Sequence, residues 1–235
     1  MAMIEAVEAV EVVEAVGSVE VRVDPDGRSA AERIAEVERA VEAFARGGFV
    51  IVFDDESREN EGDLVVAAEH TTEAAMRYLL ENTSGVVCVA VPDRVAAALE
   101  LPQMTEVNSG LHETAFTVSV DLRPGGTTGI SAAERSRTVQ ALADPATRPE
   151  DLGRPGHVFP IRAVPGGVLA RDGHTEAAVD LSRLAGLSGA AAICEIVRPD
   201  WGMARLPDLV RLAERDGLPL ISVGDLAAYR RATGR

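Results

Sequence analysis

At 235 residues, with 46% hydrophobic and 26% charged residues, the chain is long enough to bury a core and has the composition of an ordinary globular protein. Its formal net charge is -15 and all 23 basic residues are arginine, which argues against a general nucleic-acid or anionic-membrane surface. An anionic substrate would need a local pocket of arginine and backbone N–H groups set against that overall field.

Residues 1–28 form a Glu/Ala/Val-rich segment with approximate EAVEAV repeats, and Asp24-Pro25-Asp26-Gly27 marks the expected boundary to the main domain over 29–235. Ser29 followed by Glu32 predicts a capping box, and Ile34, Val37, Val41 and Phe44 continue with helical spacing up to Gly47-Gly48. Two apolar runs, 49–53 and 64–68, predict buried strands. Between them lies the ten-residue run DDESRENEGD, Asp54 to Asp63. A helix is predicted over 72–82, a central strand over 86–91, a short helix over 93–100 and an irregular loop over 101–115. A strand over 116–121 leads through a glycine-rich connection to a capped helix from Ser131 to about 143. Arg154-Pro155-Gly156-His157 reads as a rigid turn before a strand over 158–163. A helix over 174–185, a strand over 191–197, a helix over 206–216 and a last strand over 218–223 complete the chain. This order predicts an α/β (α+β) domain: a single layered unit with a mixed β-sheet flanked by helices.

Cys88 and Cys194 each sit in an apolar run and have no zinc-ligand spacing, which reads as buried thiols in a reducing compartment. No apolar run reaches the roughly 18 residues of a membrane span, and no secretory pattern opens the chain, so the cytoplasm is expected.

The run 54–63 carries six carboxylates and one arginine between two strands. Close like charges repel by roughly 1 kcal/mol per pair even in water, and a plain turn would not need them. Such a cluster serves a hard cation or proton transfer, or is a solvated acidic loop. Glu195, in the otherwise apolar Ala-Ile-Cys-Glu-Ile-Val, is paired or has its pKa raised by desolvation, or else points from a strand end into solvent.

Taken whole, DDESRENEGD resembles the signature of the 3,4-dihydroxy-2-butanone 4-phosphate synthase family of riboflavin biosynthesis. Arg154-Pro155-Gly156-His157-Val158-Phe159-Pro160, Gly173-His174-Thr175-Glu176-Ala177, Cys194-Glu195 and Thr127-Thr128-Gly129-Ile130-Ser131-Ala132 resemble it too. The resemblance spans roughly 33–230. It implies a lyase that turns D-ribulose 5-phosphate into 3,4-dihydroxy-2-butanone 4-phosphate and formate, in a stand-alone form without a fused cyclohydrolase. A paralogue acting on another ketose phosphate, or a silent sugar-phosphate binding protein, are the alternatives.

The resemblance further implies Glu59 and His174 as ligands of Mg²⁺ or Mn²⁺, and Asp63, His157 and Glu195 as acid–base residues. It implies a phosphate held by Arg171 and the backbone at Gly173-His174-Thr175 with the Thr175 hydroxyl, further substrate contacts from Arg58, Glu59, Asp63, Asp172 and Glu195, and a homodimer with sites near the subunit interface. Asp172 departs from the family pattern, as do Ser109 and Arg198-Pro199-Asp200-Trp201-Gly202-Met203, where Asn-Asp-Asp-Gly-Thr-Met is usual. These changes bear on the substrate's surroundings more than on the reaction class.

Overall fold

The computed structural model describes residues 29–235. The readings of 1–28 and of the boundary turn lie outside the described residues.

Capping residues and apolar spacing set the first helix as expected. The Ser29 hydroxyl accepts the Glu32 N–H, and the Glu32 carboxylate accepts the Ser29 N–H, so α1 (Ala30–Ala45) begins with its free donors satisfied. It buries Val37, Ala40 and Phe44, and Gly47, at φ 83°, turns the chain out of the helix. The remaining elements are β1 (Val50–Phe53), β2 (Gly62–Ala67), α2 (Glu73–Asn82), β3 (Cys88–Pro92), α3 (Asp93–Ala98), β4 (Val120–Leu122), α4 (Ala132–Ala143), β5 (Leu152–Ala163), α5 (His174–Leu184), β6 (Ala191–Glu195), α6 (Leu206–Asp216), β7 (Leu220–Ser222) and α7 (Val223–Thr233).

The strands form one mixed sheet in the order β4-β5-β3-β6-β2-β1-β7. Side chains alternate across it. Val65, Ala67, Ile193 and Ala191 pack with α1, α5 and α7, whereas Val66, Ala192 and Cys194 pack beneath α2 and α4. β2 is covered on both faces, so every one of its residues is buried, Asp63 included. At β7, the edge strand among the described residues, the Leu220 N–H donates to the Glu36 carboxylate (3.2 Å) and the Ser222 N–H to Asp225 (3.3 Å). These side chains occupy donors that a further strand would otherwise pair with.

Three expectations need correction. Arg154-Pro155-Gly156-His157 is not a turn before the strand but part of it, because β5 already starts at Leu152. Gly156 passes so close to Val120 that a β-carbon would overlap the Val120 backbone. The glycine is there for a close approach between strands, not to bend the chain. The strand expected over 116–121 shrinks to Val120–Leu122, with Phe116 and Thr117 joined only by isolated bridges and a bulge at Val120/Asp121. Finally, α7 was not anticipated, although Ser222 and Asp225 form a capping box at its start.

Candidate active site

β1 ends at Phe53, and the next residue, Asp54, organises the acidic run. Its carboxylate is nearly inaccessible and accepts the backbone N–H of Glu59 (3.0 Å) and of Glu61 (2.8 Å), together with Nη1 of Arg58 (2.8 Å). Arg205 clamps the same turn from outside by donating to the carbonyls of Glu59 and Asn60. Asp54 is therefore the keystone of the turn, and the half-buried Glu59 it positions points inward; with the buried Asp63, three of the six carboxylates are drawn into the fold. The sequence reading did not single out Asp54, since the N–H groups it serves are brought round by the folded loop.

Glu59 meets His174, the first residue of α5, at 3.3 Å between Oε2 and Nδ1. Arg58 Nη1 lies 2.7 Å from the same Glu59 oxygen. Together they hold the Glu59 carboxyl down at about 2, with the histidine bond the largest cause. Burial alone would lower the His174 pKa. The charges of Asp63, Asp54 and Glu59, with the Glu59 hydrogen bond, outweigh burial and raise it to about 9. One ligand atom each from Asp54, Glu59 and His174 lie within 4.8 Å of one another.

Asp63 and Glu195 face each other directly across the β2–β6 ladder. Burial pushes the Asp63 carboxyl up to about 7, with Glu195, Glu59 and Glu61 adding to the rise and His174 opposing it. Glu195 is half-buried rather than solvated and accepts the Ser84 hydroxyl at 2.8 Å.

At the start of α5, Gly173 is the N-cap and provides no side-chain acceptor, so the first turn presents backbone N–H groups and the Thr175 hydroxyl. Arg171 reaches back to the buried Glu176 (2.6 Å) and to the His112 carbonyl (3.0 Å). Asp172 is exposed. His112, which the sequence reading left inside an irregular loop, comes within 4.0 Å of Glu59.

His157 stands apart. Continuing the β5–β3 and β3–β6 registers by two residues puts His157, Glu195 and Asp63 in one row, on the face covered by α1, α5 and α7. Two strand spacings, roughly 10 Å, separate His157 from Glu195. The structure brings Arg58, Glu59, Asp63, His174 and Glu195 together within one chain and leaves His157 outside that group.

Carboxylates and a histidine, buried at one end of a mixed sheet, define an α/β enzyme equipped for proton transfer beside a cation. The comparisons narrow this class. The family model for 3,4-dihydroxy-2-butanone 4-phosphate synthase matches residues 38–229. The synthase of Agrobacterium fabrum is 53% identical over 196 residues, covering 83% of this chain and 92% of its own length. That of Shewanella sp. (strain MR-4) is 49% identical over 199 residues, covering 85% and 92%. A crystal structure of such a synthase in complex with two magnesium ions superposes with a TM-score of 0.82 at 44% identity, covering 84% of this chain and 97% of that one. The Candida albicans structure gives 0.76 at 47%, covering 82% and 96%. The chain belongs to the 3,4-dihydroxy-2-butanone 4-phosphate synthase family.

Proposed function

We propose that the protein is a lyase that converts D-ribulose 5-phosphate into 3,4-dihydroxy-2-butanone 4-phosphate and formate, and that it requires Mg²⁺, with Mn²⁺ as a substitute. The observation that carries this reading is the pairing of Glu59 with His174 beside the buried Asp63 and Glu195. The donor set suits a divalent cation. His174 Nε2 is buried and has no hydrogen-bond partner among the described residues, and the Glu59 carboxylate remains anionic far below neutral pH. Glu59 and His174 would hold the cation, whose positive charge stabilises negative oxygen as it develops on the substrate.

The remaining roles fall to side chains of this chain. Asp63, with its carboxyl at about 7, is matched to taking a proton from carbon next to a ketone and returning it at neutral pH. Glu195, anchored by Ser84, faces it across the ladder as the second proton carrier. Arg58 offsets the crowded carboxylates and orients the sugar. The phosphate is received by the N–H groups at Gly173-His174-Thr175 and the Thr175 hydroxyl, with Arg171 holding the neighbouring loop at the correct distance. His157 acts as acid or base in the rearrangement. Its separation from Glu195 supports a homodimer in which each site near the interface takes His157 from the other subunit.

Among the described residues no helix is long and apolar enough to cross a membrane. The test is formate release from ribulose 5-phosphate. Formate should appear with Mg²⁺ and stop when the cation is chelated. A chain that binds the sugar phosphate but releases no formate with Mg²⁺ present would overturn the reading.

A further inference from the structure

We propose that Asp121 is a positioning residue for His157, fixing its imidazole in the Nδ1–H tautomer so that Nε2 is the acceptor offered to the substrate. This rests on the acid–base role given to His157 above. One carboxylate grips the histidine twice: Oδ1 accepts the His157 backbone N–H at 2.9 Å, and Oδ2 lies 2.7 Å from ring Nδ1. A carboxylate only accepts, so the ring nitrogen facing it must carry the proton. The backbone bond by itself would satisfy the strand. The second contact orients the ring, as the carboxylate does in a catalytic triad.

The surroundings are shaped to hold Asp121 there. Between Val120 and Asp121 the β4–β5 register jumps from Val158 to Gly153, which leaves Arg154 to His157 unpaired with β4 and brings His157 to the Asp121 carboxylate. Gly156 lets the two strands close up, and its N–H donates to Ser119 Oγ at 3.1 Å. On the opposite side, Gly129 sits at φ 82°, and a β-carbon there would overlap the Asp121 carboxylate. The loop carrying Gly129 is fixed by Glu134, which accepts the Thr127 N–H (2.5 Å), the Thr127 hydroxyl (2.9 Å) and the Ser131 hydroxyl (2.9 Å). Ser131 and Glu134 have the spacing of a capping box, and the Ser131 hydroxyl does accept the Glu134 N–H (3.2 Å), but the box is not reciprocal. Instead, the Glu134 carboxylate turns to Thr127 and shapes the seat over Asp121.

The test uses the full chain labelled with ¹⁵N-histidine. There are four histidines, so His157→Asn assigns the His157 signals directly. At pH 8 the wild type should show the Nδ1–H tautomer at His157. In Asp121→Asn the amide can still accept the backbone N–H, but its NH₂ faces Nδ1, so the tautomer should switch to Nε2–H. With ribulose 5-phosphate, kcat should then fall by about 10²–10⁴-fold while KM stays within about threefold. Gly129→Ala, which displaces the same carboxylate without altering it, should move tautomer and kcat in the same direction. A wild-type His157 in the Nε2–H form, or an Asp121→Asn enzyme with kcat within twofold of wild type, would overturn the proposal. If the wild type does not turn over ribulose 5-phosphate, the reaction assignment falls on its own, and the tautomer still decides for or against Asp121.

Discussion

The group around Glu59 and His174 and the pair formed by His157 and Asp121 lie at the same end of one sheet, yet they are held by opposite means. The first is dry and crowded with charge. Asp63 is 4% exposed, and its neighbours include Glu195, Glu59, Glu61 and His174. Its protonation states are set by burial and by the charges and hydrogen bonds of its own members, so no member of the group can be changed without moving the others. The second is exposed, with 43% of the His157 side chain accessible, and is held by two directed hydrogen bonds. Burial tunes the first site, and geometry tunes the second. Changes in the first should therefore alter stability and activity together, and changes in the second should alter activity alone.

The largest expected effect comes from dismantling the first group. Glu59→Gln should lower kcat by about 10³-fold or more and abolish saturable Mg²⁺ binding measured by calorimetry, because a neutral amide is a poor ligand for a hard cation. Unchanged Mg²⁺ binding in this variant would break the assignment of Glu59.

A mixing experiment sharpens the contrast between the two regions. Glu59→Gln and His157→Ala should each be inactive. If each site takes His157 from the other subunit, a heterodimer retains one intact site, and an equal random mixture should recover about a quarter of wild-type activity. No recovery after verified subunit exchange would place both residues in the same subunit's site.

The sequence made some of this plain and hid the rest for physical reasons. α6 was legible to its ends, because its amphipathic spacing and the αL Gly217 at its close are local signals. Glu59 and His174 were legible only through the resemblance, since nothing local joins a loop glutamate to a histidine 115 positions later. Asp54 and Asp121 were not legible at all. Each looks like any acidic residue at a strand end, and its importance comes from donors that tertiary contacts deliver. Gly156 misled for the same reason. A glycine after proline normally marks a turn, and only the packing of Val120 shows why this one lies within a strand.

A smaller effect concerns stability. The Asp63 carboxyl is raised to about 7 in the fold, against 3.8 ordinarily, so the folded state holds its proton more tightly than the unfolded chain. The stabilisation from that proton is complete below about pH 4 and is lost as pH rises to about 7. Asp63→Asn removes this dependence. Without cation, the variant should match wild-type stability at pH 4 and exceed it by about 2–4 kcal/mol at pH 8, with a correspondingly higher melting temperature. It should also be inactive. Equal melting temperatures at both pH values would mean that Asp63 is ionised throughout.

The smallest effect tests a position remote from both regions. Trp201 lies at φ 65° and is 76% exposed, over a cleft lined by Arg198, Arg211 and Arg215. The left-handed conformation costs a non-glycine residue about 1–2 kcal/mol, and glycine's greater freedom in the unfolded chain takes back about 0.5–1 kcal/mol. Little burial is at stake, so Trp201→Gly should raise stability by about 0.5–1 kcal/mol, or about 1–4 °C in Tm. The cleft lies on the face away from Asp63 and Glu195, as Ile196 alternates with Glu195 along the chain and packs with α6. Accordingly kcat/KM for ribulose 5-phosphate should stay within about twofold. A stable Trp201→Gly enzyme with altered substrate preference would show instead that 198–203 reaches the sugar, and that charge and geometry at one end of the sheet do not by themselves set specificity.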